Sequence, residues 1–255
     1  MKLKDQVAIV TGGGTGMGLG ISERFGAEGA KVVVNYRSSK KEAETVAASI
    51  VDKGGEAVAY RADVSQDAEA RKMIDFVRDR WGRLDVLVNN AGWSKVTPHH
   101  KLEELTDDIW DRTLNTNLRG AFYCARAAVP LMKHGGGGAR INNTSASAWS
   151  AAGSSIVYSA SKAAMVNMTK SLARALAPEI RVNAIAPGLV RTRFAGWPES
   201  TFEQAPKDTP LQRIATAEEV ASLVLFLAVD ATAITAETIL IDGGRTLLGN
   251  TVARQ

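Results

Sequence analysis

The chain has one cysteine, Cys124, in 255 residues. A single thiol excludes an internal disulfide framework and fits a reducing compartment, with an inert buried side chain as the plain reading of Cys124 itself. Long hydrophobic runs are missing as well. The longest, Val220 to Val229, is interrupted by Ser222, and the opening from Met1 through Lys4 leads straight into the short apolar run Val7 to Val10. Neither is long enough for a bilayer span, and the N-terminal run is also too short for the apolar core of a signal peptide, so no membrane role and a cytoplasmic location are expected. Nor is there a block of like charge. The net +4 comes from lysines and arginines interleaved with acids, which argues against a nucleic-acid partner. Internal repeats and low-complexity tracts are absent, no metal site is expected, and a chain of this length with 45% hydrophobic residues can bury one full core.

What is present is an alternation of strand and helix. Val7 to Val10 reads as a strand that stops at Thr11-Gly12-Gly13-Gly14-Thr15-Gly16-Met17-Gly18, and Leu19 to Glu28 then has helical spacing. Glycines between a strand and a helix let backbone approach a pyrophosphate, and the helix N-terminus offers unpaired N–H groups to it. Lys31 to Asn35 is the second strand, and Ser39-Lys40-Lys41-Glu42 predicts a capping box opening a helix to about Lys53. About 20 residues beyond the glycines, where an NAD-binding unit places a carboxylate for the ribose, the chain reads Asn35-Tyr36-Arg37-Ser38. An arginine stands there and no acid does. Ala57 to Arg61 is a third strand ending at Asp63-Val64, Ser65 is the expected N-cap of a helix through Trp81, and Val86 to Val88 runs into Asn89-Asn90-Ala91-Gly92. Repeated alternation predicts an α/β fold, a doubly wound parallel sheet (Rossmann fold) in a single domain over residues 1–255, with ligands at the carboxyl ends of the strands.

Helices are expected from Thr106 to Asn117 and from Arg119 to Lys133, with Asn117 able to act as a helix-breaking cap. Strand Ala139 to Thr144 then delivers Ser145 at its carboxyl end. The following helix, to about Ala177, carries Tyr158-Ser159-Ala160-Ser161-Lys162. Residues four apart share a helix face, so the Lys162 charge can stabilise a tyrosinate and make Tyr158 usable as an acid near neutral pH. Arg181 to Ile185 is a sixth strand ending at Pro187-Gly188. Residues 189–213 have three prolines and no clear period, and are expected to form a mobile loop over the ligand. Thr216-Ala217-Glu218-Glu219 predicts a second capping box, opening a helix apolar on nearly every side through Ala228, and Thr238 to Ile241 supplies a last strand. The segments that emerge at the strand ends carry Trp93, Trp149, Leu189, Phe194, Trp197 and Phe202, an expected lining for an apolar substrate cleft, with His99 and His100 as solvated loop residues.

Taken together, Thr11-Gly12-x-x-x-Gly16-x-Gly18, Asn89-Asn90-Ala91-Gly92, Ser145, Tyr158-x-x-x-Lys162 and Pro187-Gly188 closely resemble the shorter, single-domain branch of the short-chain dehydrogenase/reductase family, over nearly the whole chain. The thirteen-residue step to Tyr158 selects Ser145 over Ser147. The resemblance implies hydride transfer between a nicotinamide and a carbonyl or alcohol. In it Tyr158 exchanges the proton, Ser145 holds the oxygen, Lys162 bonds the nicotinamide ribose and lowers the tyrosine pKa, and Asn117 holds water for a proton relay. It further implies cofactor contacts from Gly12, Thr15, Gly16, Met17 and Gly18, from Asp63 and Val64 at the adenine, from Asn90, Ala91 and Gly92, and from Pro187, Gly188, Val190 and Thr192, the last at the carboxamide. With Arg37 and Ser38 in place of an acid, NADP(H) is expected over NAD(H). Two positions depart from the family: Asn142 stands where an aliphatic residue is usual, and Thr15 where many NADP-dependent relatives have arginine. A homotetramer is the expected assembly. The alternatives are a 3-oxoacyl-[acyl-carrier-protein] reductase, ranked lower because Trp93-Ser94-Lys95 follows Gly92, a lyase or epimerase, and a non-catalytic nucleotide-binding relative.

Overall fold

In the computed structural model, residues 1–248 are described; residues 249–255, the end of the expected domain, lie outside them. Strand β1 (Val7–Val10) is buried at every position. A strand of a parallel sheet is covered on both faces, which is why its sequence is a continuous apolar run. The chain continues through α1 (Gly16–Ala27), β2 (Lys31–Tyr36), α2 (Lys40–Asp52), β3 (Glu56–Arg61), α3 (Asp67–Trp81), β4 (Val86–Asn89), α4 (Asp107–Leu114), α5 (Gly120–His134) and β5 (Gly138–Asn143). It ends with α6 (Ser147–Ser150), α7 (Ile156–Leu176), β6 (Ile180–Pro187), α8 (Glu199–Gln204), α9 (Ala217–Val229), β7 (Thr238–Ile241) and α10 (Arg245–Leu248). All pairings are parallel, in the order β3-β2-β1-β4-β5-β6-β7. The fold is the expected doubly wound Rossmann sheet. Strand order reverses between β1 and β4, and the crevice at that switch point opens at the carboxyl ends of the strands.

Each face of the sheet has its own apolar layer. Ile21 and Phe25 of α1 and Val224 and Leu225 of α9 belong with Val10, Val34, Val88 and Ile141 on one side. Met73 and Val77 of α3 and Cys124 and Met132 of α5 belong with Ile9, Val33, Leu87 and Val182 on the other. Cys124 is fully buried, and burial pushes its thiol up to about 12.

Several local expectations are corrected. The Ser39 hydroxyl makes no cap bond; Glu42 turns instead to Arg193, 3.2 Å away. Helix α3 starts after Gln66, not at Ser65, because Ser65 spends its N–H and its hydroxyl on Asp63 Oδ1, at 3.0 and 2.7 Å. Asn117 does not end a helix. Asn115–Arg119 forms a π-turn with helical dihedrals on either side, so α4 and α5 are one helix with a bulge between them. The segment over residues 189–213 is folded: a 3₁₀ turn at Phe194–Gly196, helix α8, and a parallel bridge from Val190 to Ala215 give it structure, with Phe202 buried. Proline masked the period there. The capping box at Thr216 forms, with Glu219 N–H donating to the Thr216 hydroxyl and Thr216 N–H to Glu219 Oε2. Most of α9 is covered within the chain by α1 and the sheet, leaving Phe226, 40% exposed, as its main apolar surface.

Candidate active site

The cleft at the strand ends has a volume of about 1170 Å³. Its floor is the glycine turn. Gly12 and Gly16 have φ of +62° and +54°, a region in which a side chain is strained. A Cβ at Gly18 would stand 2.2 Å from the Gly12 carbonyl oxygen and 2.6 Å from Asn90 Nδ2, so Gly18 is a packing requirement and does not line the cleft. Thr15, the N-cap of α1, makes no side-chain cap bond, and the first turn carries no acid. Its N–H groups therefore suit an anion.

Buried amides hold this floor in place. Asn35 accepts from Gly12 N–H (3.3 Å) and donates to the Tyr60 and Ala62 carbonyls, 3.2 and 3.1 Å away. Asn90 donates to the Thr11 and Gly12 carbonyls, at 2.9 and 3.2 Å, and accepts from Asn143 Nδ2 at 2.9 Å. The polar ends of Asn35 and Asn90 are thus committed to the scaffold. Asn143 lines the cleft, yet its buried Oδ1 has no partner. Such an orphaned acceptor is a place for a ligand hydroxyl.

At the outer end Arg37, Ser38, Asp63 and Val64 line the cleft, with Arg37 Nη1 3.9 Å from Asp63 Oδ2. No acid follows Asn35 at the end of β2. The donor set suits an anionic group beside the ribose better than a bare diol. Thr15, Gly16, Met17, Ala91, Gly92, Pro187, Gly188, Val190 and Thr192 line the same cleft. Taken with the open N-terminus of α1, the residues fit a phosphorylated dinucleotide.

Tyr158 and Lys162 enter from α7, whose N-cap Ser155 accepts from Tyr158 N–H. Both side chains line this cleft, Lys162 buried and Tyr158 half-buried. Burial pushes the phenol up to about 12, while the neighbouring Ser145 hydroxyl pulls the other way. Ser145 in turn accepts from Ser147 Oγ at 3.0 Å and from Ser147 N–H at 3.2 Å. Lys162 is 3% exposed, and desolvation brings its ammonium down to about 7. Its Nζ donates to the Asn143 carbonyl at 2.6 Å and lies 5.6 Å from the centre of the Tyr158 ring. Burial dominates the phenol, and the Lys162 ammonium is paired with the Asn143 main-chain carbonyl. A phenol held protonated near a serine hydroxyl can donate to an oxygen that gains charge.

Asn117 is fully buried and does not line the cleft. Its Oδ1 accepts from Trp93 N–H (2.7 Å) and its Nδ2 donates to the Trp93 carbonyl and Ser161 Oγ, both at 3.1 Å. The side chain pins Trp93 beside the site.

In the substrate half, Trp93, Leu189, Phe194 and Trp197 line the cleft, with Phe194 5.7 Å from the Tyr158 ring centre. Trp149 does not. It projects from the four-residue α6 and is 47% exposed. Phe202 is also off the cleft, buried beneath Arg191. His99 is half-buried and bonded to the Gly153 carbonyl at 3.2 Å, while His100 is exposed as expected. A serine wall of Ser147, Ser150 and Ser154, and the residues Glu42, Asn143 and Arg193, also line the cleft. Sequence reasoning missed these; for Asn143 a signal existed, a polar residue in a buried strand just before Ser145. The departure at Asn142 also finds its account: its amide donates to Thr169 Oγ1 (2.9 Å) beside Asn89 and the buried Arg140, whose Nη2 donates to the Ala121 carbonyl at 3.0 Å.

A family model described as enoyl-(acyl carrier protein) reductase matches residues 12–246. A 3-oxoacyl-[acyl-carrier-protein] reductase of Synechocystis is 38% identical over 245 residues, covering 95% of this chain and 97% of the relative. One from Staphylococcus epidermidis is 38% identical over 240 residues, covering 93% and 97%. Among solved structures, a short-chain dehydrogenase from Burkholderia cenocepacia in complex with NADP superposes with a TM-score of 0.89 at 33% identity, covering 96% of this chain and 99% of that one.

Proposed function

The chain belongs to the short-chain dehydrogenase/reductase family of oxidoreductases, and from that premise we propose that it reduces a ketone to an alcohol, or the reverse, with NADP(H) and with Tyr158 as general acid and base. The observation that carries this reading is the half-buried Tyr158 phenol, which lines one cleft with Ser145 and shares a helix face with Lys162. When bound, the cofactor supplies or takes the hydride at the carbonyl carbon. Tyr158 gives its phenolic proton to the carbonyl oxygen as charge develops there, and Ser145 holds that oxygen in line. Ser147 orients the Ser145 hydroxyl. The Lys162 ammonium, anchored on the Asn143 main-chain carbonyl, holds the ribose side and stabilises the phenolate left behind. In the oxidative direction the same phenolate takes the proton from the alcohol. Arg37 and Ser38 meet the 2′-phosphate.

Trp93, Leu189, Phe194 and Trp197 support an apolar or aryl ketone, since a polyol needs paired polar partners that these side chains do not offer. The reductases of acyl-carrier-protein thioesters among the relatives favour a second reading, a 3-oxoacyl thioester. A panel with NADPH saturating, set against NADH, tests both. A higher kcat/KM for NADPH, lost in Arg37→Ala, and for an aryl ketone over a ketose of similar size, is the expected result; preference for NADH or for the ketose overturns the corresponding half.

A homotetramer completes the proposal. A mixed groove along the π-turn, α5 and α7, lined by Leu118, Phe122, Tyr123 and Met168 with Arg119 and Arg126 beside them, and the exposed Phe226 of α9 are surfaces that a two-fold related copy can cover. Light scattering that finds only a 27.1 kDa species at micromolar concentration rejects it.

A further inference from the structure

Three consecutive residues of the segment after β6 touch three separate parts of the cleft. Thr192 lies on the glycine turn, with its Cγ2 3.1 Å from where a Gly16 Cβ would be. Phe194 lies against the Tyr158 ring. Between them Arg193 crosses to the first turn of α2, where Nη2 is 3.2 Å from Glu42 Oε1. Arg193 and Glu42 line the same cleft as Arg37, Ser38 and Ser39. Glu42 is held below the usual carboxylate range first by its own backbone N–H and then by Arg193. It therefore presents a full negative charge at the end of the cleft where a 2′-phosphate would arrive. That is an awkward neighbour for the phosphate unless its counter-charge can be shared.

We propose that Arg193 is a second phosphate-reading cation, carried by the substrate segment and parked on Glu42 until a 2′-phosphate draws it across, so that the segment registers which nicotinamide cofactor is bound. The inference rests on the NADP(H) reading above. An exposed guanidinium gains a stronger, forked partner in a phosphate than in one carboxylate oxygen. Because Thr192 and Phe194 flank Arg193, drawing it toward the phosphate presses the first residue onto the glycine turn and the second onto the catalytic ring. The pair is open to solvent, with side-chain exposures of 78% for Arg193 and 41% for Glu42, so either residue can be replaced without disturbing the core.

The test is equilibrium binding to the full-length protein, followed by quenching of tryptophan fluorescence, for which Trp197 in the same segment is a reporter. NADPH, NADH and 2′,5′-ADP are titrated into the parent, Arg193→Gln, Arg193→Lys and Glu42→Gln. Arg193→Gln is expected to weaken NADPH and 2′,5′-ADP about fivefold and NADH less than about twofold, with Arg193→Lys between, and the difference to shrink in high salt. Glu42→Gln is expected to tighten NADPH about threefold by removing both the competitor and the repulsion. Equal weakening of NADPH and NADH by Arg193→Gln, or no change in either, overturns the proposal while leaving the cofactor reading intact. A parent that binds NADH as tightly as NADPH sinks the cofactor reading instead.

Discussion

The two halves of the cleft are built differently. On the cofactor side, Gly12, Asn35, Asn90 and Thr11 bond one another through backbone groups and buried amides, and a single Cβ at Gly18 has nowhere to go. On the substrate side, Trp93, Leu189 and Trp197 are half-buried and come from two loops, with Asn117 the main anchor of Trp93. A surface that must approach a pyrophosphate is defined by backbone, so few substitutions are tolerated. One that must admit a particular ketone is defined by side chains on loops, and can change while the scaffold stands.

The sharpest break comes at the seam between the halves. Tyr158→Phe keeps the ring and removes the proton donor, so kcat should fall about 10²–10⁴-fold with the circular dichroism spectrum and cofactor affinity retained. Turnover near the parent level removes Tyr158 from the chemistry. Next in size is Gly18→Ala, which drives a methyl into the Gly12 carbonyl and should cost about 3 kcal/mol in urea unfolding. Truncating Trp197 to Ala in the other half should cost about 1 kcal/mol or less. If both cost the same, the contrast between a rigid floor and a replaceable lining is wrong.

Lys162 sharpens the contrast further, because its burial opposes its charge. Its folded-state pKa, about 7, lies below the ordinary 10.5. Below pH 7 the lysine is charged in both states and folding bears the whole desolvation cost. Between 7 and 10.5 the unfolded chain holds a proton that the folded one has shed, so stability rises with pH, and above 10.5 the cost is gone. Lys162→Met should therefore be more stable than the parent by on the order of 2 kcal/mol at pH 6, an advantage that fades by about pH 10. An advantage that grows with pH contradicts the assignment. The smallest effect is expected at Trp149: Trp149→Ala should leave kcat/KM for an aryl ketone within about twofold, because an exposed side chain outside the cleft contributes little to substrate binding. Trp197→Ala should raise KM severalfold; a large loss at Trp149 instead would return that ring to the site.

Much of this is legible in the sequence. The seven strands and the glycine turn follow from apolar runs and glycine spacing, and helical periodicity puts Tyr158 and Lys162 on one face; their grouping with Ser145 comes from the family resemblance. The misreadings share a cause. Ser39 and Ser65 have the composition of caps, yet Glu42 and Asp63 have other partners, supplied from Arg193 and from Ser65 itself. Asn117 has the composition of a helix breaker, but a buried π-turn absorbs the extra residue. Trp149 and Trp197 cannot be told apart by residue type.

The sequence by itself determined the alternation of elements, the apolar faces that must be buried, and the residue types that chemistry at a strand end requires. These depend on local sterics and on periods of two and 3.6 residues, which a linear string records. Only the tertiary structure decided that Asn35 and Asn90 are spent on the scaffold, that Lys162 is paired with a carbonyl while the phenol is pushed up to about 12, and that Arg193 reaches α2. Partner choice and desolvation depend on which atoms lie within a few ångströms after folding. For Arg193 and Glu42 that neighbour is 151 residues away along the chain.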